Sequence, residues 1–246
     1  MCRFAVVKLG GSVVTFKDRF ESVDLDSLRF LSVQLSSFKG SGGSLVVVHG
    51  GGSFGHVAVS RLLAERGRLE PGDSSLIQES MFRLALIVLG VLREYNLRPV
   101  LHPPHSICYS VDPSSCMFDL IQRDLVLGLT PVTYGDAIPE GGSTRIISGD
   151  ELAVELALRL NADCLIFVIR APGVLDENGR VIKLLDSIDK LRVYEIKYMD
   201  VTGGIVNKIS LALKASKKVR EVRIVGLEDL ENALNMRDVG TKIKSM

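Results

Sequence analysis

Gly10-Gly11-Ser12, the run Gly50-Gly51-Gly52-Ser53-Phe54-Gly55, Gly141-Gly142 and Gly203-Gly204 are four glycine-rich turns at the ends of strand-like or helix-like stretches. Glycine admits positive φ and lets consecutive N–H groups close on an anion with no Cβ in the way, above all at a helix N-terminus. A single such turn is ordinarily only a turn. Three of them accompanied by lysines are a stronger signal, because a polyphosphate needs fixed amide dipoles and mobile positive charge together. The lysines are Lys8 just before the first turn, Lys17 beyond it, and Lys208 four residues after Gly204. Most lysines are solvated surface residues. Lys8 departs from that use: it interrupts an apolar strand pattern, where an unpaired ammonium is costly to bury, so it should meet an anion. Lys208 falls in the first turn of a helix, against the dipole preference for acids, and calls for a negative group to compensate it. Lys17, in FKDRFES, says less on its own. Neither G-x-x-x-x-G-K-[ST] nor G-x-G-x-x-G with a ribose-binding acid downstream is present, so a phosphate site must be assembled from several turns.

The elements that must position these residues follow an alternating rhythm: FAVVKL, a helix over 25–38, LVVVH, then a helix over 75–95. Such alternation predicts a mostly parallel sheet covered by helices on both faces, a three-layer αβα sandwich of the α/β class. The first two strands run into glycine turns at their carboxyl ends, where open α/β sheets bind ligands. The stretch 98–145 is rich in Pro, Gly, Ser and Asp and reads as loops and hairpins at the sheet edge, with VTYG and TRII as short strands. From Ser148 the rhythm returns, with a helix over 151–160, a strand over 164–169, a helix from about 205 to 217, and the strands VRIV and TKIK. A soft boundary near Ile147 divides 1–147 from 148–246, with no long linker and no internal repeat. Ser148-x-x-Glu151 is a capping box, which sets Asp150 in the first turn of its helix at the positive end of the dipole.

With 246 residues, 46% hydrophobic and 24% charged, the chain suffices for one large domain or two closely fused lobes. A formal net charge of +1, no basic block and 6% aromatic residues exclude the footprint of a nucleic-acid binder and leave a small molecule as partner. Cys2, Cys108, Cys116 and Cys164 form no C-x-x-C pair and read as reduced thiols of a cytoplasmic protein. The apolar run in MCRFAVVKLGG is short and cut by Lys8, unlike a signal peptide, and the longest uncharged apolar stretch, 84–92, is too short to span a bilayer. No membrane association is therefore expected.

KLGGS (8–12), HGGGSFGH (49–56), SGDELA (148–153), PGVLD (172–176), TGGIVNK (202–208) and VGTKIK (239–244) together resemble the ordered motif series of the amino acid kinase superfamily. The glycine loop closed by a second histidine, His56, is similar to the version in its isopentenyl phosphate kinases and in the related fosfomycin kinases. The resemblance implies the amino acid kinase fold, an N-terminal half that binds the phosphoryl acceptor, a C-terminal half that binds ATP, Mg²⁺ bridging the nucleotide phosphates, and a homodimer. It also implies roles for individual residues. Lys8 would contact the transferring phosphoryl group, Lys17 and Lys208 would hold ATP phosphates, and the amides of Gly10, Gly11 and Ser12 would cradle the γ-phosphate. Gly51, Gly52, Gly55, His56 and Gly149 would serve the acceptor, Gly52, Asp176, Gly203 and Gly204 the nucleotide, and Asp150 would orient the lysines.

The chemistry agrees with this resemblance. A phosphate monoester acceptor is already anionic near neutral pH, so the task is to bring two anions together by positioning and charge stabilisation. Histidine suits an acceptor clamp because it donates a hydrogen bond in either protonation state; the plainer use of His56 is an ordinary residue at a helix start. The helix over 75–95 is apolar around much of its circumference, with Met81, Phe82, Ala85, Leu86 and Leu89 at helical spacing. Most of these belong to a core, and a few would line a pocket for the tail of a prenyl monophosphate. Arg170 stands where such kinases often carry an acid, and it could pair with phosphate or with a carboxylate such as Asp176. His102, His105, Cys108 and Cys116 share one loop-rich stretch; zinc is conceivable there, but the prolines and irregular spacing favour a lip over the acceptor site. Fosfomycin kinase, an amino acid or nucleotide kinase, and a non-catalytic nucleotide sensor or storage protein are the competing readings.

Overall fold

The computed structural model describes residues 1–16, 19–188 and 204–245. Its strands are β1 (Phe4–Leu9), β2 (Ser44–His49), β3 (Pro99–Leu101), β4 (Thr130–Tyr134), β5 (Asp136–Glu140), β6 (Ser143–Ile147), β7 (Cys164–Ile169), β8 (Leu184–Leu185), β9 (Glu221–Gly226) and β10 (Thr241–Ile243). The helices are α1 (Gly11–Val14), α2 (Leu25–Gly40), α3 (Gly52–Arg66), α4 (Asp73–Glu94), α5 (Pro104–Ile107), α6 (Asp119–Val126), α7 (Gly149–Arg159), α8 (Gly204–Ala215) and α9 (Leu230–Leu234).

β1, β2 and β7 are near-continuous apolar runs, as strands covered on both faces must be. They form the centre of an eight-stranded sheet in the order β3-β4-β2-β1-β7-β9-β10-β8. Every neighbouring pair in it is parallel except β9 with β10. Alternating side chains then sort into two cores. Val7, Leu9, Val47 and Ile166 face α2 and α4, while Val6, Val48, Leu165 and Phe167 face α7 and α8. The result is the expected αβα sandwich, with β5 and β6 paired separately as an antiparallel hairpin.

Three expectations are corrected and one is qualified. The stretch 98–145 is more regular than its composition suggests: β4 is an interior strand between β3 and β2, α6 follows the loop, and only β5–β6 is a hairpin. Two of its prolines sit where they do little harm, Pro99 opening the edge strand and Pro104 in the first turn of α5, whereas Pro131 lies within β4 on the side paired with the edge strand β3. The cysteines are not free thiols, because Cys2 is bonded to Cys164 and Cys108 to Cys116. The β1–β7 pairing sets Ala5 opposite Cys164 and so brings together residues 162 apart in sequence, which spacing alone does not reveal. Ser148 caps α7 through the amide of Asp150 rather than that of Glu151. Finally, α4 is the one helix among the described residues long and apolar enough to cross a membrane, with mean hydropathy 1.6. Its Met81, Leu84, Val88 and Leu92 are packed into the core, so this apolarity is that of a buried helix.

Candidate active site

At the carboxyl edge of β1, β2 and β7 the chain encloses a cleft of about 690 Å³. The alternation that points Val6 towards α7 points Lys8 the same way, one residue before the strand ends. Asp150 enters from the first turn of α7 and Lys208 from the first turns of α8. One Asp150 oxygen lies 2.7 Å from Lys8 Nζ and the other 2.5 Å from Lys208 Nζ, and Lys208 Nζ stands 5.1 Å from the centre of the Phe167 ring. All three side chains are close to fully buried. Burial alone would raise the Asp150 carboxyl, but the charges and hydrogen bonds of the two lysines outweigh it and hold the group well below the usual carboxylate range. Burial and the charge of Lys8 pull Lys208 down to about 8 against the opposing pull of Asp150. Two ammoniums against one carboxylate leave a net positive charge at the wall of a cleft, which is a demand for an anion.

Two glycine loops face this triad. The first starts at Gly10, whose amide donates to Val168 O at 2.9 Å; the second at Gly50, whose amide donates to Leu9 O at 2.9 Å. They touch backbone to backbone, and a Cβ on Gly11 would collide with the amide nitrogen of Gly52. Gly51 is right-handed (φ −74°, ψ −31°) and Gly52 left-handed (φ +47°), a succession of the kind that forms an anion-binding nest, here at the N-terminus of α3 with the Ser53 amide given to Thr15 Oγ1. His56 follows one turn later and lines the same cleft, whose wall continues through Val57, Val59, Ile77, Met81, Ile146 and Ile147. The cleft thus combines amides and lysines with an apolar wall.

The Amino acid kinase family matches residues 3–226 of this sequence. The chain belongs to this family. It is similar to isopentenyl phosphate kinase of Methanocaldococcus jannaschii, 32% identical over 233 residues that cover 85% of this chain and 86% of that one. It is also similar to isopentenyl phosphate kinase of Haloferax volcanii, 37% identical over 226 residues covering 87% and 90% of the two chains. Among solved structures, an X-ray structure of isopentenyl phosphate kinase superposes with a TM-score of 0.82 at 26% identity, covering 98% of this chain and 100% of the other.

For a member of this family, the positions of the residues singled out from the sequence are informative. Every residue to which the resemblance gives a role and that the structure describes lines this cleft, with the exception of Asp176. Asp176 heads the turn between Leu175 and Val181, and its carboxylate accepts the amides of Asn178 and Arg180 at 2.9 and 2.8 Å. Lys17 and Gly203 lie outside the described residues. Gly141 and Gly142, with φ +60° and +78°, are the hairpin turn of β5–β6 and not part of the cleft. Of the α4 residues, Met81 lines the cleft, Ala85 and Leu89 are core, Leu86 is exposed, and Phe82 packs its ring against His105 and Tyr134.

Arg170 pairs with a carboxylate, that of Asp24 and not that of Asp176. It reaches Asp24 Oδ2 at 2.5 Å, Ser12 O at 2.6 Å and Ser27 Oγ at 3.2 Å, tying the end of β7 to the first glycine loop and to the start of α2. His102 pairs with Asp124 at 2.9 Å and His105 with Asp136 at 2.6 Å; with both nearby cysteines in a disulfide, zinc has no ligand set there. Among the described residues no group of three or more His, Cys, Asp or Glu side chains gathers for a metal.

Two residues in the site's foundations have no role assigned from the sequence, although His49 opens the HGGGSFGH run. His49, at the end of β2, is wholly buried with its Nδ1 3.2 Å from Gly50 O, and burial pulls it down to about 4, so it is neutral near pH 7. Thr15, at the end of α1, is wholly buried between the two glycine loops. Each follows an apolar run and reads there as ordinary strand or turn chemistry.

Proposed function

We propose that this chain transfers the γ-phosphoryl group of ATP to the phosphate oxygen of isopentenyl phosphate, giving isopentenyl diphosphate and ADP. The observation that carries this reading is the cleft itself, which combines the Lys8–Asp150–Lys208 triad, the Gly51–Gly52 nest with His56, and an apolar wall. The names of the relatives point to the same acceptor.

In this reading the acceptor phosphate lies on the nest and against His56, with its tail along Ile77, Met81 and Ile146, and the nucleotide phosphates lie between the Gly10–Ser12 turn and Lys208. Lys8 stands at the junction and stabilises the charge on the group in transfer. The acceptor oxygen is anionic, so no general base is required, and Asp150, with its carboxylate held by two lysines, serves to orient them. Lys17 and Gly203 complete the nucleotide side in the same reading, residues 1–147 serve as the acceptor lobe and 148–246 as the nucleotide lobe.

Mg²⁺ accompanies ATP. The cleft carboxylates Asp150 and Asp136 are engaged, by lysines and by His105 with backbone amides, so the residues present fit an ion held by phosphate oxygens and its own waters rather than by a protein cage. Such an ion supplies charge neutralisation between the phosphates. The assembly is read as a cytoplasmic homodimer.

The test is ADP release with Mg-ATP and a panel of isopentenyl phosphate, dimethylallyl phosphate, fosfomycin and acidic amino acids. Turnover of the prenyl phosphates is the expected result. Turnover of fosfomycin alone would reassign the acceptor, and ATP binding without any turnover would make the protein a nucleotide sensor.

A further inference from the structure

The two glycine loops hold the two phosphate groups in the reading above, so the distance between the loops sets the distance between the reacting atoms. Their backbones leave the paired ends of β1 and β2, where the Gly50 amide donates to Leu9 O at 2.9 Å, and beyond that bond Gly11 and Gly52 meet backbone to backbone. One side-chain hydroxyl is bonded to both. Thr15 Oγ1 donates to Gly11 O at 2.8 Å in the first loop and accepts the Ser53 amide at 2.9 Å in the second. Thr15 itself is wholly inaccessible to solvent, and its backbone is held on both sides, by the Thr15 amide on Gly11 O at 3.0 Å and by the bridge to Val23.

The fit around this hydroxyl is close. A Cβ on Gly52 would fall on Thr15 Oγ1, so the left-handed glycine of the nest leaves room for that oxygen. The Ser53 N–H is one of the first-turn donors of α3 that no helical carbonyl can satisfy, and Thr15 satisfies it from outside the helix. Ser53 adds a second tie to the same strip of chain, its Oγ accepting the Ser22 amide at 3.1 Å. The nest, the start of α3 and the first loop are thus joined through one donor–acceptor group.

We propose that the Thr15 hydroxyl is a positioning group that sets the spacing between the donor and acceptor phosphate loops. It touches neither substrate and acts through the Gly11 carbonyl and the Ser53 amide. The inference rests on the phosphotransfer reading of the cleft. Its signature is a loss in kcat with little change in either KM, because each loop still binds its own phosphate but the two are no longer held in register for transfer. A displacement of about 1 Å between reacting groups costs on the order of a hundredfold in rate.

Thr15→Val removes the hydroxyl and keeps the shape, and Thr15→Ser keeps the hydroxyl and removes the methyl. Steady-state kinetics with ATP and isopentenyl phosphate should show Thr15→Val losing roughly ten- to a hundredfold in kcat, with both KM values within about threefold of wild type and Thr15→Ser close to wild type. Unchanged kcat in Thr15→Val overturns the inference, and so does an equal loss in Thr15→Val and Thr15→Ser, which would assign the effect to packing of the methyl. If Thr15→Val does not fold, Thr15→Cys decides, since a thiol fills the site but is a weak donor and acceptor: kcat well below that of Thr15→Ser supports the inference, and kcat equal to it overturns it. A wild-type enzyme silent towards isopentenyl phosphate overturns the proposed function and this inference with it, whereas an active wild type with an undiminished Thr15→Val overturns this inference alone.

Discussion

The two faces of the central sheet reach the same carboxyl edge and bury polar side chains there in opposite ways. On the face towards α7, Lys8, Asp150 and Lys208 are buried as ions, each matched by a partner within 2.7 Å. On the face towards α4, His49 and Tyr134 sit side by side with ring centres 5.1 Å apart, and His49 Nε2 and the Tyr134 hydroxyl have no hydrogen-bond partner. Burial keeps both of these neutral, pulling His49 down to about 4 and raising the Tyr134 hydroxyl far above its ordinary value. A charged face with a surplus cation suits the group in transfer, whose charge must be stabilised. A neutral pair leaves no fixed charge unpaired in the core behind the second glycine loop.

The largest effect should come from the charged face. Lys8→Ala removes a preorganised cation and should lower kcat by about a hundred- to a thousandfold, read by ADP release at saturating substrates. Because Asp150 remains paired with Lys208 at 2.5 Å, the fold should survive, and a circular-dichroism melt will show this. A loss confined to KM would mean that Lys8 binds ground states only.

Smaller in size is the effect expected of His56→Ala, on the acceptor side. A hydrogen bond to a charged group contributes about 1.5–3 kcal/mol, so KM for the prenyl phosphate should rise by roughly ten- to a hundredfold while KM for ATP stays constant. A rise in KM for ATP alone would exchange the two ends of the cleft.

The pH profile separates the faces again. With Lys208 at about 8 in the free enzyme, kcat/KM for ATP should fall above that pH as the ammonium is lost. Lys208→Arg keeps its charge at high pH and should move this alkaline limb upward. A limb that stays in place in the variant would assign it to another group.

These contrasts were unevenly legible in the sequence. The charged face could be read because a lysine inside an apolar strand is a conflict that demands an anion, and a lysine opening a helix is another. The anion both conflicts share, Asp150, was placed by its helix-cap pattern, although its pairing with Lys8 is a product of folding. The parallel sheet followed from strand and helix rhythm, but the strand order did not, and with it went the Cys2–Cys164 pairing and the interior place of β4. Arg170 could be seen as unusual, but its partner Asp24 comes from a distant segment. His49 and Thr15 create no conflict at the sequence level: each becomes special only through complete burial. Asp176 shows the converse, a residue matched to a motif whose carboxylate is spent on its own turn.

The smallest predicted effect tests the neutral face through stability. The unfolded chain carries His49 with an ordinary value near 6.5, whereas in the fold it titrates at about 4. Between these values the unfolded state binds more protons, so stability contributed by neutral His49 is fully present above about 6.5 and declines as pH falls towards 4, at up to about 1.4 kcal/mol per pH unit. By pH 5 this amounts to about 2 kcal/mol, or roughly 4–8 °C in Tm for a chain of this size. His49→Asn lacks this titration but can donate to Gly50 O as the imidazole does. The variant should therefore be less stable than wild type at pH 7.5, and the gap in Tm should close as the pH is lowered to 5. Because the other acid-sensitive groups are common to both proteins, Tm curves that stay parallel would mean that His49 takes up its proton alike in the folded and unfolded chains, and the division into a charged and a neutral face would fall.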